Sequence, residues 1–159
     1  MAFRLGQEAI VACLPQQPPF CFVDEAELDA KSIRASYTIT GDEVFLAGHF
    51  RGNPVFPASI VFEALGQAAC LWTIQMAPTL AQVSVQSSQM FFTSMESARF
   101  FRQAVPGDRL EMEMKLVRLR PPLAIFNGTV GCAGQNVALV ERLVLAFAYE
   151  ESRIQRAAS

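Results

Sequence analysis

The apolar run Ala58–Ala77, fenced by Pro57 and Pro78, constrains this chain more than any other feature. It is too long for a strand, and Pro57 suits the first position of a helix. The spacing predicts a helix over 58–76 that stops before Pro78. Its residues are apolar nearly all round, so it must be covered on most sides. Glu63, Gln67 and Gln75 interrupt it with strongly polar groups. Those three argue against a membrane span, as does a strand-rich remainder.

On either side of the run the periodicity changes. Ile33, Ala35, Tyr37 and Ile39 alternate with the polar residues of Ser32–Thr40. Leu110, Met112, Met114 and Leu116 alternate with Glu111, Glu113, Lys115 and Val117. Both segments read as half-buried strands. Phe20–Leu28, Leu123–Val130 and Val137–Tyr149 read as further strands, and Val83–Phe92 as extended but ambiguous. Gly131–Asn136 supplies a turn. Val105-Pro106-Gly107-Asp108 fits a type II turn, with Pro and Gly at its centre. Gln7–Leu14 reads as a short helix stopped by Pro15, and 41–57 as a loop punctuated by Gly and Pro. The expected fold class is α+β: one long helix and roughly five or six strands, mainly antiparallel, that wrap it. With 159 residues and no linker or repeat, one domain over 1–159 is expected, with a polar tail over about 150–159.

Composition adds a constraint on surface. Apolar residues make up 52% of the chain and charged residues 18%. So much apolar surface needs a subunit interface, a ligand tunnel or both. A net charge of −2 gives no basic footprint for nucleic acid. The four cysteines, Cys13, Cys21, Cys70 and Cys132, lack CxxC spacing and have a single histidine for company. Neither a metal site nor a disulfide framework is expected; reduced thiols in the cytoplasm fit better. Arg4 and Glu8 beside the short run Ala9–Leu14 do not make an export signal.

The chemistry concentrates between 48 and 67. His49 is the single histidine, on a loop stiffened by Pro54 and Pro57. Histidine is the residue type that suits a general base near neutral pH. Glu63 and Gln67, four apart on a helix, share a face. A carboxyl among Ile60, Val61, Phe62, Ala64 and Leu65 loses solvation, so its pKa rises and it can act as an acid. Gln67 can orient it. The unpaired N–H of Ala58, in the first helical turn, can polarise a carbonyl. A base, an acid and a polarised carbonyl are the parts needed to remove a proton α to a carbonyl and expel a β-hydroxyl. The plainer readings are a hydrogen-bonded loop histidine and a glutamate that faces solvent or an interface.

The segment Gly48-His49-Phe50-Arg51-Gly52-Asn53-Pro54-Val55-Phe56-Pro57, with Glu63-Ala64-Leu65-Gly66-Gln67-Ala68-Ala69, closely resembles the signature of the single-domain 3-hydroxyacyl-[acyl-carrier-protein] dehydratases of fatty acid synthesis. Ala98-Arg99-Phe100-Phe101-Arg102, Val105-Pro106-Gly107-Asp108-Arg109-Leu110, Leu14-Pro15, Pro19-Phe20 and Val23-Asp24 resemble the same family, in the family's order. The resemblance implies a hotdog fold, an antiparallel sheet wrapped around a long central helix, assembled as a dimer or larger homo-oligomer. It implies dehydration of a 3-hydroxyacyl thioester to the trans-2-enoyl thioester on an acyl carrier protein, without metal or organic cofactor. It casts His49 as the base at C2 and Glu63 as the acid at the departing hydroxyl, the two drawn from different protomers. Gln16-Gln17 stands where the family usually has His-Arg, Arg51 where it has Pro, and Ala58 where it has Gly. The added methyl at Ala58 is expected to narrow the site or to alter the acyl group accepted.

Arg99 and Arg102, near the expected tunnel mouth, are candidates to dock an acidic carrier protein; the plain alternative is a solvated strand end. Thirteen phenylalanines, with pairs at Phe91-Phe92 and Phe100-Phe101, read either as core or as the lining of an acyl tunnel tuned to short, unsaturated or polyketide-like chains. Two other functions stay open at this level: a hotdog acyl-thioesterase, and a non-catalytic acyl-binding or scaffold subunit.

Overall fold

The computed structural model describes residues 2–151. Eight strands among them form one antiparallel sheet: β1 (Phe3–Leu5), β2 (Glu25–Leu28), β3 (Ser32–Thr38), β4 (Val83–Glu96), β5 (Arg99–Phe100), β6 (Arg109–Arg120), β7 (Leu123–Cys132) and β8 (Gln135–Glu151). Their order is β1-β2-β3-β6-β7-β8-β4, with β5 also against β8. The long β8 is shared: Leu139 and Ala138 pair with β5, and Arg142–Glu151 with β4. Two helices accompany the sheet, α1 (Gln7–Cys13) and α2 (Ala58–Leu80). A 3-10 turn over Val44–Ala47 breaks up the loop ahead of α2.

Alternation decides which face meets α2. Ile33, Ala35 and Tyr37 of β3 and Leu110, Met112 and Met114 of β6 are buried, and they pair across the two strands. On the other face Arg34, Arg109 and Glu111 are exposed while Ser36 is buried, and Arg34–Glu113 and Arg109–Glu25 form ion pairs of little energetic weight. The sheet curls round α2, whose 23 residues run about 35 Å. Val61, Ala64, Leu65, Ala68, Ala69, Leu71 and Trp72 are completely buried there. Trp72 packs edge-on against Phe126 at 5.4 Å and donates its indole N–H to the Asp29 carbonyl at 2.8 Å. The fold is the expected α+β hotdog.

Several boundaries differ from expectation. Pro78 lies inside α2 rather than after it. In the last turn its missing N–H forfeits a single helical bond, and Ala81 N–H closes the helix on Ala77 O at 2.9 Å. The strand expected over Phe20–Leu28 begins only at Glu25, because the Phe22 N–H and the Phe20 carbonyl are bonded by the Gln67 side chain. The turn expected over 131–136 is tighter: Ala133 and Gly134, with φ of 49° and 77°, join β7 to β8. β1 and β5 are too short for a periodic signal, which is why the strand count rises to eight. β8 also runs on to Glu151, so the start of the expected polar tail is paired strand; 152–159 lie outside the described residues.

The type II turn stands as expected. Gly107 has φ +93°, and Asp108 N–H reaches Val105 O at 3.0 Å. Trp72→Ala is expected to cost about 3–5 kcal/mol in denaturant unfolding, since it empties the middle of the helix–sheet core. A loss under about 1 kcal/mol would show that the core there is not packed as described.

Candidate active site

The loop before α2 is closed on itself by backbone bonds. Phe50 and Asn53 exchange N–H···O bonds at 3.0 and 3.1 Å, and Val55 N–H reaches His49 O at 2.7 Å. These fold the chain back so that His49 lies beside Val55, three residues ahead of Ala58. The His49 Nδ1 is 2.7 Å from the Val55 carbonyl oxygen. A carbonyl can only accept, so Nδ1 carries the proton and Nε2 keeps its lone pair. The half-buried ring stacks on Phe50 at 4.2 Å. The loop is anchored further back as well. Glu43 accepts from Tyr37 Oη at 2.8 Å and from the Thr40 and Gly41 N–H groups.

Below the loop an aromatic cluster supports the start of α2. Phe22 meets Tyr37 at 5.5 Å and Phe56 at 6.0 Å, and Phe45 meets Phe56 at 5.5 Å. Ala58 opens the helix, and its N–H is among those a helix leaves without an internal partner. Ile60 and Val61 N–H groups instead turn back to Pro57 O.

Glu63 and Gln67 stand together as their spacing predicts. Gln67 is completely buried, and its Nε2 donates to Glu63 Oε1 at 3.0 Å. The same Nε2 donates to Phe20 O at 3.1 Å, while Oε1 accepts the Phe22 N–H at 2.8 Å. One carboxamide therefore orients the acid and ties down the segment before β2. Burial pushes the Glu63 carboxyl above the usual carboxylate range, partly offset by the Gln67 hydrogen bond. Cys70, two turns on, is pushed up to about 12 by burial and by Glu63, so it stays a thiol. Among the described residues no hydrogen bond links His49 to Glu63.

Of the two candidate docking arginines, Arg99 is exposed on β5. Arg102 is not free: Nη1 donates to Asp108 Oδ2 at 3.0 Å and to Gln103 O at 2.8 Å. Its segment does lie at the site, because Phe56 N–H bonds Ala104 O at 2.7 Å, next to the start of α2. The phenylalanine pairs divide. Phe91 and Phe101 face solvent, while Phe92 and Phe100 turn inward. The sequence does not reveal the Val55 carbonyl as the partner that fixes the histidine, since a backbone acceptor carries no side-chain signal. It also does not reveal the seating of Phe92 against Gly66, although a glycine amid a helix was a signal that could have found it.

Comparison with known proteins places this arrangement among relatives. Residues 14–141 match the family model described as a FabA-like domain. A 3-hydroxyacyl-[acyl-carrier-protein] dehydratase FabZ of Anaeromyxobacter sp. is 37% identical over 134 residues, covering 82% of this chain and 83% of that one. Its counterpart in Caulobacter vibrioides is 37% identical over 131 residues, covering 81% and 79%. Among solved structures, the dehydratase heterocomplex ApeI:P from Xenorhabdus doucetiae aligns with a TM-score of 0.74 at 16% identity, over 94% of this chain and 97% of that one. A hypothetical thioesterase with coenzyme A from Streptococcus pneumoniae aligns with a TM-score of 0.54 at 10% identity, over 79% and 84%. Those two likenesses are of fold.

The raised Glu63 carboxyl predicts a pH signature in stability. The folded chain holds this proton to higher pH than the unfolded chain does. Well below the ordinary glutamate pKa both states are protonated and no penalty exists. As pH climbs through the raised folded value, charging the buried group costs the native state. Glu63→Gln removes that cost, so its Tm minus the wild-type Tm should become more positive between about pH 4 and about pH 8. A difference that is flat, or that falls, would contradict the desolvated acid.

Proposed function

Since the chain belongs to the FabA-like family, we propose that it is a hydro-lyase that converts a carrier-bound 3-hydroxyacyl thioester to the trans-2-enoyl thioester. The observation that carries the mechanism is the His49 Nδ1 bond to the Val55 carbonyl, which leaves Nε2 as a fixed base. The Ala58 N–H, at the positive end of α2, polarises the thioester carbonyl and acidifies the C2 proton. His49 Nε2 takes that proton, and the Val55 carbonyl steadies the imidazolium that forms. The electron pair closes the C2–C3 double bond and the C3–O bond breaks. Glu63, whose carboxyl burial pushes up, gives its proton to the departing hydroxyl, which leaves as water. Return of the proton from His49 to the Glu63 carboxylate resets the site. Gln67 holds the carboxyl in place throughout. Every step is supplied by side chains and backbone, so no cofactor enters the scheme.

The active form is a homo-oligomer with this site at the interface between two protomers. The support lies in β4. Among the described residues it pairs with β8 alone, and from Val83 to Met95 it carries no charge. Phe91, on its outer face, is 64% exposed. A long, uncharged, unpaired edge invites another strand. A copy of β4 added there brings a second α2 and a second loop alongside the first, so His49 of one chain serves Glu63 of the other. The acidic carrier protein docks through Arg99, while Arg102 holds the adjacent turn through Asp108.

With a 3-hydroxyacyl carrier protein as substrate, enoyl absorbance should appear without release of free thiol, which separates dehydration from thioester hydrolysis. His49→Ala and Glu63→Gln should each lower turnover by about a hundred- to ten-thousand-fold while the chain stays folded. Wild-type turnover in both would overturn the mechanism and leave a binding or scaffold role. Phe91→Lys should move the protein from dimer to monomer in light scattering, because a charge on the edge blocks strand pairing. An unchanged mass would place the interface elsewhere.

A further inference from the structure

Glycine inside a helix costs about 1 kcal/mol against alanine, yet Gly66 stands in mid-α2 between Glu63 and Gln67. The reason lies on β4. A Cβ added to Gly66 would run into the ring of Phe92, whose Cε1 is 2.8 Å from that position. The absent methyl is the notch that seats the ring. Gly66 follows Glu63 by three residues, so it shares that stripe of the helix about 4.5 Å further along the axis. Phe92 therefore lies over α2 one step beyond the acid.

Phe62 and Met76 lie within about 40° of Gly66 or of each other around α2, and they, like Met90, Phe92 and Met95 of β4, are apolar residues that pack on the core yet are only partly buried. Phe62 also meets Phe100 edge-on at 6.4 Å. An acyl tail that runs along α2 from a C3 hydroxyl at Glu63 toward Gly66 meets the Phe92 ring, which fills the space a Gly66 side chain would take. We infer that Phe92, seated in the Gly66 notch, closes the acyl site just beyond Glu63 and restricts the enzyme to short acyl chains. The inference rests on the dehydratase reading above and adds its substrate class.

The test is steady-state turnover of 3-hydroxybutanoyl, 3-hydroxyhexanoyl, 3-hydroxydecanoyl and 3-hydroxyhexadecanoyl carrier protein by the full chain, by Phe92→Ala and by Phe92→Leu. The full chain should favour the two short substrates over the two long ones by at least about tenfold in kcat/KM, the scale on which an apolar pocket discriminates by chain length. Phe92→Ala should bring the long substrates within about threefold of the short ones, with Phe92→Leu between the two. Leucine keeps apolar bulk at this position, so its profile reads specificity even if alanine weakens the fold. Equal use of long and short substrates by the full chain would overturn the inference, as would a long-to-short ratio unmoved in the variants. If the full chain turned over none of the four, the dehydratase reading itself would fall, and the inference with it.

Discussion

Helix α2 has no polar face, and the fold is organised by the need to cover it. β3, β6, β7 and β8 curl around it with their alternating apolar residues, and Trp72 locks the middle against Phe126. The burial that stabilises the helix also sets its chemistry. Glu63, half-buried on this helix, has its carboxyl pushed above the usual carboxylate range by that burial. Gln67 joins the two roles. Its carboxamide satisfies backbone groups of the Phe20–Phe22 segment and aims the acid with the same nitrogen. Fold and site therefore share one buried polar contact.

His49 is positioned by a different device. His49 sits on a loop that would wander without its internal bonds, and its tautomer is set by one backbone carbonyl. Glu63 is held by burial and His49 by hydrogen bonding, and the loop that carries His49 runs directly into the helix that carries Glu63. Ala58, the first residue of that helix, stands where the loop ends and the helix dipole begins. The strand β4, at the edge of the sheet among the described residues, sends Phe92 from its inner side onto the helix near Glu63.

Much of this was legible in the sequence, for identifiable reasons. The helix announced itself by length and by Pro57, and β3 and β6 by strict alternation. Glu63 and Gln67 announced themselves as polar residues in an apolar run. What was hidden depends on partners distant in the chain. The start of β2 is hidden because Gln67, far away in sequence, takes the hydrogen bonds of Phe20 and Phe22. The end of α2 is hidden because Pro78 falls in a last turn, where a missing N–H costs little. Arg102 read as a docking cation, and its tie to Asp108 depends on how the intervening turn folds. Gly66 read as one residue of a motif, and its purpose needs Phe92 in view.

The central claim is a site completed by two chains, with His49 from one and Glu63 from the other. Mixing protomers tests it most directly. His49→Ala and Glu63→Gln chains, each inactive alone, are co-expressed with different tags and the mixed dimer is purified. A shared site predicts that dehydration returns, because one of the two sites in the mixed dimer then holds an intact His49 and an intact Glu63. A mixed dimer as inactive as its parents would mean that each chain pairs its own histidine with its own glutamate, and would contradict the account.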